Sequence, residues 1–594
     1  MLAACSAQPA PDSPPDLDTG TPSATMSWIH VAHSPGRRPY FADQWGREVQ
    51  LHGTNVTGVY RNHEEEDNHP GVTPKTQDVA AYTGDCPVNA ARWANPPLCQ
   101  VDAGGGPWST AAFDSRNDLS QMRALGFDVV RLAINWEEVE PTPGHYDQAF
   151  VARVGQVVDW AEEQGIYVLV DFHQDHYGDI PRTDVANPPL TTRPGGQAEG
   201  APRWAALSEG QPNVYPLGFD VASPAAARAF QRFWENAVPP VPQGEAPGTG
   251  LQDHYLGAVA AVMAPLRDRA AVVGVELMNE PQPGETDPVS MAANLLYPFY
   301  TRAVEALTGE RDGRPTCPTE APSSMTGQCA YPDLLSDRRH LVFFEPDAIR
   351  NLFDVSIQPN QPFSDYPNLV FAPHVYTHLF TVDSTLGHTP ADQSTFPPSY
   401  DFAYQTADFE ARAMDTALLV TEFGGSEGDA AQQTEGTLAA QERSLTGGTV
   451  WEWKYNCGPD PSCGGGPGPD GANEASRWSM YQSGGGGPHP PQNGPIQPLR
   501  ARHLTRIYPR LTSGTLRSAA FDPATGSFTM TATASTPVTP GDEHRETLVV
   551  IPPGLGGVPT TTGAAVLDRV VDNPDGSRWV WVAPTGGAYG VDVG

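Results

Sequence analysis

The sequence predicts an α/β fold, a (β/α)8 TIM barrel followed by a C-terminal antiparallel β-sandwich domain. Two observations support this prediction. Short apolar runs alternate with helical patterns through eight rounds, as in parallel barrels whose strands are buried on both faces. From about residue 499 the pattern changes to period-two alternation between turn residues, which is typical of sandwiches. We therefore divide the 594 residues into a tether (1–26), a barrel (27–498) and a sandwich (499–594).

The barrel elements follow one another along the chain. A small hairpin from Phe41 leads into a first strand ending at Asn55, and Asp114 can cap a helix that Gly126 stops. Further helices are predicted at 148–164, 224–237, 251–267 and 289–307. The other strands are predicted at 129–134, 166–172, 341–345, 369–376 and 449–453, with two more that carry Glu280 and Glu422.

The C-terminal region contains short alternating runs at 527–533, 547–551 and 577–582. Trp579 and Trp581 lie two residues apart in the last run and therefore share one strand face. Alternating aromatic residues usually face a core. We expect these two side chains to pack against the barrel, with glycan binding as the alternative.

The composition narrows the class of partner. The formal net charge is −35, whereas a nucleic-acid surface needs clustered Lys and Arg. The same charge disfavours attraction to anionic lipid. A neutral substrate such as a sugar fits better, and we expect no nucleic-acid partner and a monomeric protein.

Six of the seven cysteines form three local couples in Pro- or Gly-rich loops. Cysteines placed in this way are typical of disulfides in an exported protein, and no CxxC knuckle or nearby His pair supports zinc. The sequence does not fix the pairing. The disulfide candidates are Cys86, Cys99, Cys317, Cys329, Cys457 and Cys463.

The seventh cysteine, Cys5, follows Leu2, Ala3 and Ala4, and this tetrapeptide is similar to a bacterial lipobox. The basic and apolar regions of a signal peptide do not precede it, so a chance tetrapeptide is the alternative. A lipid on Cys5 would make the protein an exported, extracellular or cell-surface lipoprotein. Residues 6–26, rich in Pro, Ser, Asp and Thr, would then form a flexible membrane tether.

Two glutamates stand near the ends of apolar strand patterns. Glu280 follows the run 272–278, and Glu422 follows the run 418–421. Carboxylates at the C-terminal ends of barrel strands lie on the face where active sites form. Two of them provide what double-displacement glycoside hydrolysis needs, an acid/base and a nucleophile. Structural ion pairing is the alternative interpretation.

With these residues in place, the chain resembles the clan A glycoside hydrolases of family 5, in particular the endoglycoceramidase-like branch. The matching positions span nearly the whole barrel, and the added sandwich also fits this branch. They are Arg131, 173–175, 279–281, 374–376, 421–424 and 451–453. The resemblance implies a retaining β-glycosidase, with Glu280 as acid/base and Glu422 as nucleophile, that cleaves the bond between a glycan and a hydrophobic aglycone.

The resemblance also implies roles around the two glutamates. Arg131 would keep Glu422 charged, since a buried arginine needs such a partner. Asn279 would bind the sugar 2-hydroxyl, Tyr376 would donate to the nucleophile, and His374 would lie beside the acid/base. Two further groups would bind substrate: His173 and Asp175 through sugar hydroxyls, and Trp453, or as second choice Trp451, through a flat apolar face.

Several alternatives remain open at this stage. His173 and His176 flank an acid, but their spacing is not that of a helix-borne zinc site, so we expect no metal ligands in the site and no cofactor for the protein. The run 295–300 could receive a lipid aglycone or could be a helix face packed on the barrel. The substrate could also be a polysaccharide, a glucosylceramide or a steryl glucoside. A non-catalytic carbohydrate-binding surface lipoprotein is the remaining class.

Overall fold

The computed structural model describes residues 26–56, 115–178, 180, 183, 200–214, 222–240, 248–314, 316, 332–356, 360–389, 397–425, 431–453, 478, 480 and 497–594. Cys5 and the six loop cysteines lie outside these residues, so lipidation and disulfide formation stay predictions. Within these ranges, no helix combines the length and the apolar character that crossing a bilayer requires.

Three short strands, β1 to β3, precede the barrel, and nine strand segments then form it. All barrel pairings are parallel, and the sixth strand position consists of two segments, β9 and β10. Because β11 pairs with β9 and β10 on one side and with β12 on the other, the sheet closes. The bounds are β1 Ile29–Ala32, β2 Tyr40–Asp43, β3 Glu48–Val49, β4 His52–Val56, β5 Val129–Ile134, β6 Tyr167–Phe172, β7 Val272–Glu276, β8 Leu341–Phe344, β9 Leu369–Phe371, β10 His374–Val375, β11 Ala417–Gly424 and β12 Gly447–Trp451.

The described helices surround this barrel, and local sequence explains their ends. Ser223 caps one helix by accepting the N–H of Ala226, and Gly309 ends another in the left-handed region. The helices are α1 Ser115–Ala124, α2 Trp136–Val139, α3 Gln148–Glu163, α4 Pro224–Trp234, α5 Leu251–Met263, α6 Pro288–Met291, α7 Tyr297–Thr308, α8 Tyr400–Met414, α9 Ala431–Ser444 and α10 Pro498–Leu504. Short 3₁₀ segments lie at Ala264–Leu266, Ala348–Leu352 and Val382–Leu386.

The predicted fold class is confirmed, with three local differences. The predicted sixth strand is broken between β9 and β10, where Pro373 has no N–H to offer the ladder. The predicted 289–307 helix contains a π-helical segment, Ala292–Leu296. The fourth barrel strand ends at Glu276, so Glu280 lies four residues beyond the ladder rather than within it.

The C-terminal strands are antiparallel and enclose a second hydrophobic core. The long strand β18 pairs with β16 through its first part and with β15 through its second. Gly586 and Gly587 separate the two parts and both have positive φ, which permits the bend that a two-layer arrangement needs. The bounds are β13 Tyr508–Thr512, β14 Thr515–Asp522, β15 Ser527–Ala534, β16 Thr547–Ile551, β17 Pro559–Asp572 and β18 Arg578–Val593.

The C-terminal sheet also recruits the first strands of the chain. Residues 29–49, predicted to belong to the barrel domain, form β1 to β3, and β3 pairs with β13 through Val49 and Leu511. Hydrogen bonding therefore joins this N-terminal segment to the C-terminal sheet. The sequence offers no local signal for this pairing, because the partners are hundreds of residues apart.

The sandwich docks at the N-terminal ends of the barrel strands. Tyr508 donates to Asp128, which directly precedes β5, and Arg510 donates to the carbonyl of Gly165 at the start of the third barrel strand. Trp581 is buried beside Tyr508, Leu548 and Val550, and Arg123 of α1 lies over the Trp579 ring at 5.2 Å. The opposite, C-terminal end of the barrel is left for the functional site.

Candidate active site

Arg131 lies at the centre of the barrel and is completely buried. It projects from β5, and its guanidinium contacts six side chains from the ends of five other strands. Nε donates to Glu276 at 2.6 Å, and Nη1 donates to Glu422 at 2.6 Å and to Asn55 at 3.0 Å. Nη2 donates to Asn279 at 2.8 Å and lies 3.1 Å from Asp171 and 3.3 Å from Glu345. One cation therefore organises four buried carboxylates.

The charges of this cluster are strongly coupled. Burial disfavours the charged guanidinium, but Asp171, Glu276, Glu422 and Glu345 together hold the pKa of Arg131 well above its usual value. Burial raises the pKa of Glu276, with Arg131 opposing, and raises that of Glu345 further still, with His374 opposing. These two carboxyls therefore hold a proton more readily than free ones, which limits the negative charge beneath the site.

Glu422 is held at both carboxylate oxygens. Oε1 accepts the 2.6 Å bond from Arg131, and Oε2 accepts a 2.7 Å bond from the hydroxyl of Tyr376. His374 Nδ1 also lies 3.3 Å from Oε2. The side chain comes from β11, whose fully buried backbone fixes its direction. A carboxylate fixed at two points and facing the barrel mouth is suited to attack a carbon in a defined direction.

Glu280 reaches the same space from the segment after β7. Its φ of 38° is unusual for a residue with a side chain, and its backbone N–H donates to Glu345 Oε2 at 3.1 Å. Its carboxylate Oε1 accepts a 2.6 Å bond from Asn351 Nδ2 and lies 2.7 Å from His374 Nδ1. The Glu280 side chain is 26% exposed, whereas that of Glu422 is buried.

His374 bridges the two glutamates. Burial disfavours its charged form, but Glu345, Glu422 and the hydrogen bond to Glu280 hold the pKa of its imidazole well above the usual value. Nδ1 contacts both glutamates, and Nε2 lies 3.2 Å from Glu345. The facing atoms of Glu280, His374 and Glu422 all lie within 4.8 Å of one another. Two carboxylates therefore share one small space with an imidazole between them.

His173 and Asp175 lie at the end of the neighbouring strand β6. His173 Nδ1 lies 2.7 Å from Asp171, and its Nε2 lies 3.7 Å from Asp175, whose side chain is 28% exposed. Although burial opposes protonation, Asp171 and Asp175 hold the pKa of His173 well above its usual value. The Trp451 ring stacks on this imidazole, with ring centres 5.2 Å apart. This pair forms one wall of the site.

The remaining predicted residues are more enclosed than expected. Asn279 binds Arg131 through its oxygen and the carbonyl of Gln174 through its nitrogen. Trp453 is 1% exposed and Trp451 9% exposed, so neither offers an open platform among the described residues. The 295–300 run is buried throughout, because it packs in the π-helical segment and α7 against the barrel. It therefore presents no free apolar surface for an aglycone.

Besides Asn55, which the sequence placed at the end of the first barrel strand but not in the site, four residues of the site were not predicted from the sequence. Asp171, Glu276 and Glu345 stand within or directly after apolar strand runs, the same signal that identified Glu280 and Glu422. Their position in the pattern could therefore have identified them. Asn351 lies in the 3₁₀ segment after β8, and no sequence pattern distinguishes it from other loop asparagines.

Comparison with known proteins finds similar sequences and structures. The family model for cellulase, glycosyl hydrolase family 5, matches residues 88–457. Endoglycoceramidase I of Rhodococcus hoagii is 25% identical over 468 residues, covering 77% of this chain and 78% of that protein. Glucosylceramidase of Aspergillus fumigatus is 28% identical over 181 residues, which are 30% of this chain and 18% of that protein.

A crystal structure of an endogalactoceramidase superimposes over 96% of this chain and 100% of that one. The TM-score is 0.64, and the sequences are 27% identical. The similarity therefore includes the C-terminal sheet as well as the barrel.

Proposed function

Because the chain belongs to glycosyl hydrolase family 5 and is a glycoside hydrolase, we propose that it is a retaining β-glycosidase acting on glycolipids. It cleaves the bond between a glycan and a hydrophobic aglycone, in the manner of an endoglycoceramidase. Glu422 is the nucleophile and Glu280 the acid/base.

One observation chiefly supports the retaining reaction. An oxygen of Glu280 and an oxygen of Glu422 lie within 4.8 Å of each other. Retaining glycosidases place their two carboxyl groups about 5–5.5 Å apart, whereas inverting enzymes need roughly 6.5–9.5 Å to admit a water molecule. The space between these glutamates is therefore suited to direct attack on the anomeric carbon.

Glu422 attacks through one oxygen to form a covalent glycosyl–enzyme, and the bond to the aglycone oxygen breaks. Arg131 and Tyr376 bind the carboxylate in the free enzyme, at 2.6 and 2.7 Å. They fix its direction and stabilise it again as the leaving carboxylate when the intermediate is hydrolysed. Asn279 lies next to Arg131 and is the candidate partner of the sugar 2-hydroxyl.

Glu280 donates its proton to the departing aglycone oxygen and then removes a proton from the attacking water. Its partial exposure suits a group that exchanges a proton with each turnover, and His374 and Asn351 fix its Oε1. His173 and Asp175 are the candidate sugar-hydroxyl ligands at the neighbouring strand end. Trp451 forms the wall behind them, whereas Trp453 is buried and offers no open face to a sugar.

The glycolipid part of this proposal is supported by the relatives. Endoglycoceramidase I matches over most of both chains, and the endogalactoceramidase structure matches over essentially the whole chain. A second candidate, removal of a single glucose from glucosylceramide, is favoured by the shorter match to the fungal glucosylceramidase. Cleavage of a polysaccharide is the third, because the family model is that of cellulases.

Product analysis separates these candidates. The enzyme is incubated with lactosylceramide in detergent, with glucosylceramide in detergent, and with soluble carboxymethyl-cellulose. Release of intact lactose together with ceramide establishes endo-acting glycolipid hydrolysis. Glucose from glucosylceramide without lactose release moves the assignment to the second candidate, and shortening of the polymer alone removes both glycolipid functions.

The catalytic pair is tested by substitution. Glu280→Gln and Glu422→Gln should each lose activity by at least about 10³-fold, since each removes one half of the double displacement. Glu310→Gln, at an exposed glutamate paired with Arg338, is the matched control and should keep parent activity. A 2-fluoroglycoside inactivator should label Glu422, and peptide mass spectrometry locates the adduct. Labelling elsewhere, or unchanged activity in either variant, contradicts the assignment.

We further propose export of the protein, with a lipid on Cys5 as membrane tether, disulfides within the loop couples, and a monomeric state. The cysteine placement and the lipobox-like tetrapeptide support this. Intact mass of the protein from a lipoprotein-processing host, compared with Cys5→Ser, tests the tether. Thiol labelling with and without reductant tests the disulfides, and light scattering tests the oligomeric state. An unmodified Cys5, six free loop thiols or a dimer would each remove the corresponding proposal.

A further inference from the structure

The loop after β10 brings two histidines and an aspartate to one point, outside the cluster around Arg131. His378 Nδ1 lies 2.6 Å from Asp383 Oδ2, and His388 Nδ1 lies 3.3 Å from the same oxygen. The facing atoms of all three residues lie within 4.8 Å of one another. From this convergence we propose that His378, Asp383 and His388 bind a divalent metal ion of the zinc type.

The donor set suits such an ion. Zinc binds imidazole nitrogen and carboxylate oxygen at about 2.0–2.2 Å, so ligand atoms around a tetrahedral ion lie about 3.3 Å apart. The His388–Asp383 distance already has this value, and the His378–Asp383 distance needs to open by less than 1 Å. The His388 side chain is 51% exposed, so solvent supplies the remaining coordination position.

The local fold holds these groups in place before any ion binds. Thr381 donates its hydroxyl to Asp383 Oδ1 at 2.5 Å and accepts the backbone N–H of His378 at 2.8 Å. The Oδ2 atom is thereby left facing the two imidazoles. Ligand carboxylates in metal sites are commonly oriented by a hydrogen-bonding neighbour of this kind.

A turn at the end of the 3₁₀ segment Val382–Leu386 returns the chain to Asp383. Gly387 has a φ of 90°, which glycine adopts readily, and the N–H of His388 donates to the carbonyl of Asp383 at 3.2 Å. His378 itself is buried and has a φ of 63°. The loop therefore places the His388 imidazole beside the Asp383 carboxylate.

The competing explanation is a plain ion pair, in which a protonated imidazole binds Asp383 without metal. That explanation accounts for His378 but gives His388 no special part, because an exposed imidazole at 3.3 Å adds little to a pair that is already formed. The two explanations differ in one measurable property, since only the metal site makes zinc binding depend on His388.

Zinc binding is measured on the full chain by elemental analysis after dialysis against buffered ZnCl₂, and by titration calorimetry. His388→Ala and His388→Gln should each bind one zinc ion fewer per chain than the parent, or bind it at least about tenfold more weakly. His33→Ala is the matched control, because His33 is an exposed histidine with a single carboxylate partner, Asp415. This variant should bind like the parent.

Cobalt substitution gives a spectroscopic readout that does not depend on activity. The parent loaded with Co²⁺ should show visible absorption from nitrogen–oxygen coordination, and both His388 variants should lack that component. Zinc should also raise the thermal midpoint of the parent and of Glu280→Gln, but not of the His388 variants. Parent-like zinc stoichiometry and affinity in either His388 variant, with circular dichroism showing both folded, would overturn the proposal.

Discussion

At the scale of single residues, the side chains of the site depend on one another, because one basic side chain contacts several carboxylates. Arg131 and His374 each contact several carboxylates, which raise the pKa of both side chains. Removing one partner from such a buried cluster leaves an uncompensated charge, which typically costs about 3–5 kcal/mol. A substitution at these positions therefore changes stability and activity together. An uncharged residue at the edge of the cluster allows activity to be changed with less effect on stability.

Asn351 is such an edge position. Its Nδ2 is 2.6 Å from Glu280 Oε1, and it contributes no charge. Asn351→Ala should lower kcat/KM about tenfold for glycosides with poor leaving groups, which need a well-oriented acid. The loss should be much smaller for a dinitrophenyl glycoside, whose leaving group needs little protonation. Asn360→Ala is the control, since Asn360 contacts Tyr297 instead, and an equal loss on both substrates would contradict a positioning role.

The same scale shows what sequence could and could not reveal. Glu280 and Glu422 were identifiable because each follows an apolar run that itself dictates a buried strand. Asn351 lies in a short 3₁₀ segment whose approach to Glu280 depends on the spacing of two barrel strands. His388 reaches Asp383 only because Gly387 reverses the chain. Such contacts follow from three-dimensional placement, which local patterns do not encode.

At the scale of elements, the junction between the barrel and the sandwich contains two titratable groups with opposite pH responses, buried Asp128 and half-buried His52. Asp128 accepts hydrogen bonds from the backbone of His52 and from Tyr508, and burial raises its pKa to about 6. Burial, with Arg506 nearby, lowers the pKa of His52 to about 4. Between about pH 4 and 6 the folded state therefore holds a proton on Asp128 that the unfolded state has lost. In the same pH range, His52 is neutral in the folded state but carries a proton in the unfolded state.

These two contributions should oppose each other in the parent. The Asp128 contribution to the free energy of unfolding falls as pH rises, and the His52 contribution rises, each by at most about 1.4 kcal/mol per pH unit. Relative to the parent, Asp128→Asn should therefore gain stability as pH rises from 4.5 to 6, and His52→Gln should lose it. Urea unfolding at four pH values measures both, and parallel pH profiles in all three proteins would contradict the buried titrations.

The fold class and the order of the barrel elements were predicted better than the bounds of individual elements. The second barrel strand, Val129–Ile134, has the predicted bounds, since a run of β-branched residues leaves little choice. Where the structure departs, a specific residue accounts for it, as Pro373 does between β9 and β10. The pairing of β3 with β13 could not be predicted, because both are short and either could pair with any exposed edge.

At the scale of the whole molecule, the sandwich and the barrel are joined by a buried interface and by a shared sheet. It covers the N-terminal ends of the barrel strands and completes its own sheet with β1 to β3. A chain of residues 1–498 would expose the face that packs on Tyr508 and Trp581 and would leave β3 without β13. We expect this truncated protein to be insoluble, while removal of residues 1–25 should leave solubility unchanged.

The intact protein should accordingly unfold in one calorimetric transition. Because the two parts share a sheet and a buried interface, loss of one removes the support of the other. Differential scanning calorimetry with proteolysis of partly heated samples measures this. Two separate transitions, or a soluble and fully active 1–498 fragment, would show that the sandwich is an independent domain.

The shared sheet also sets the order in which the chain can fold while it is being made. Glu48 accepts the backbone N–H of Leu516, 468 residues later, so the first strands have no complete sheet until almost the whole chain has left the ribosome. At typical synthesis rates this delay is roughly 20–90 s. During that time β3 has no β13 to pair with, and its edge is exposed. A chaperone that binds extended nascent chains should therefore act first on residues 26–56, and a slowed ribosome should lower the yield of soluble protein.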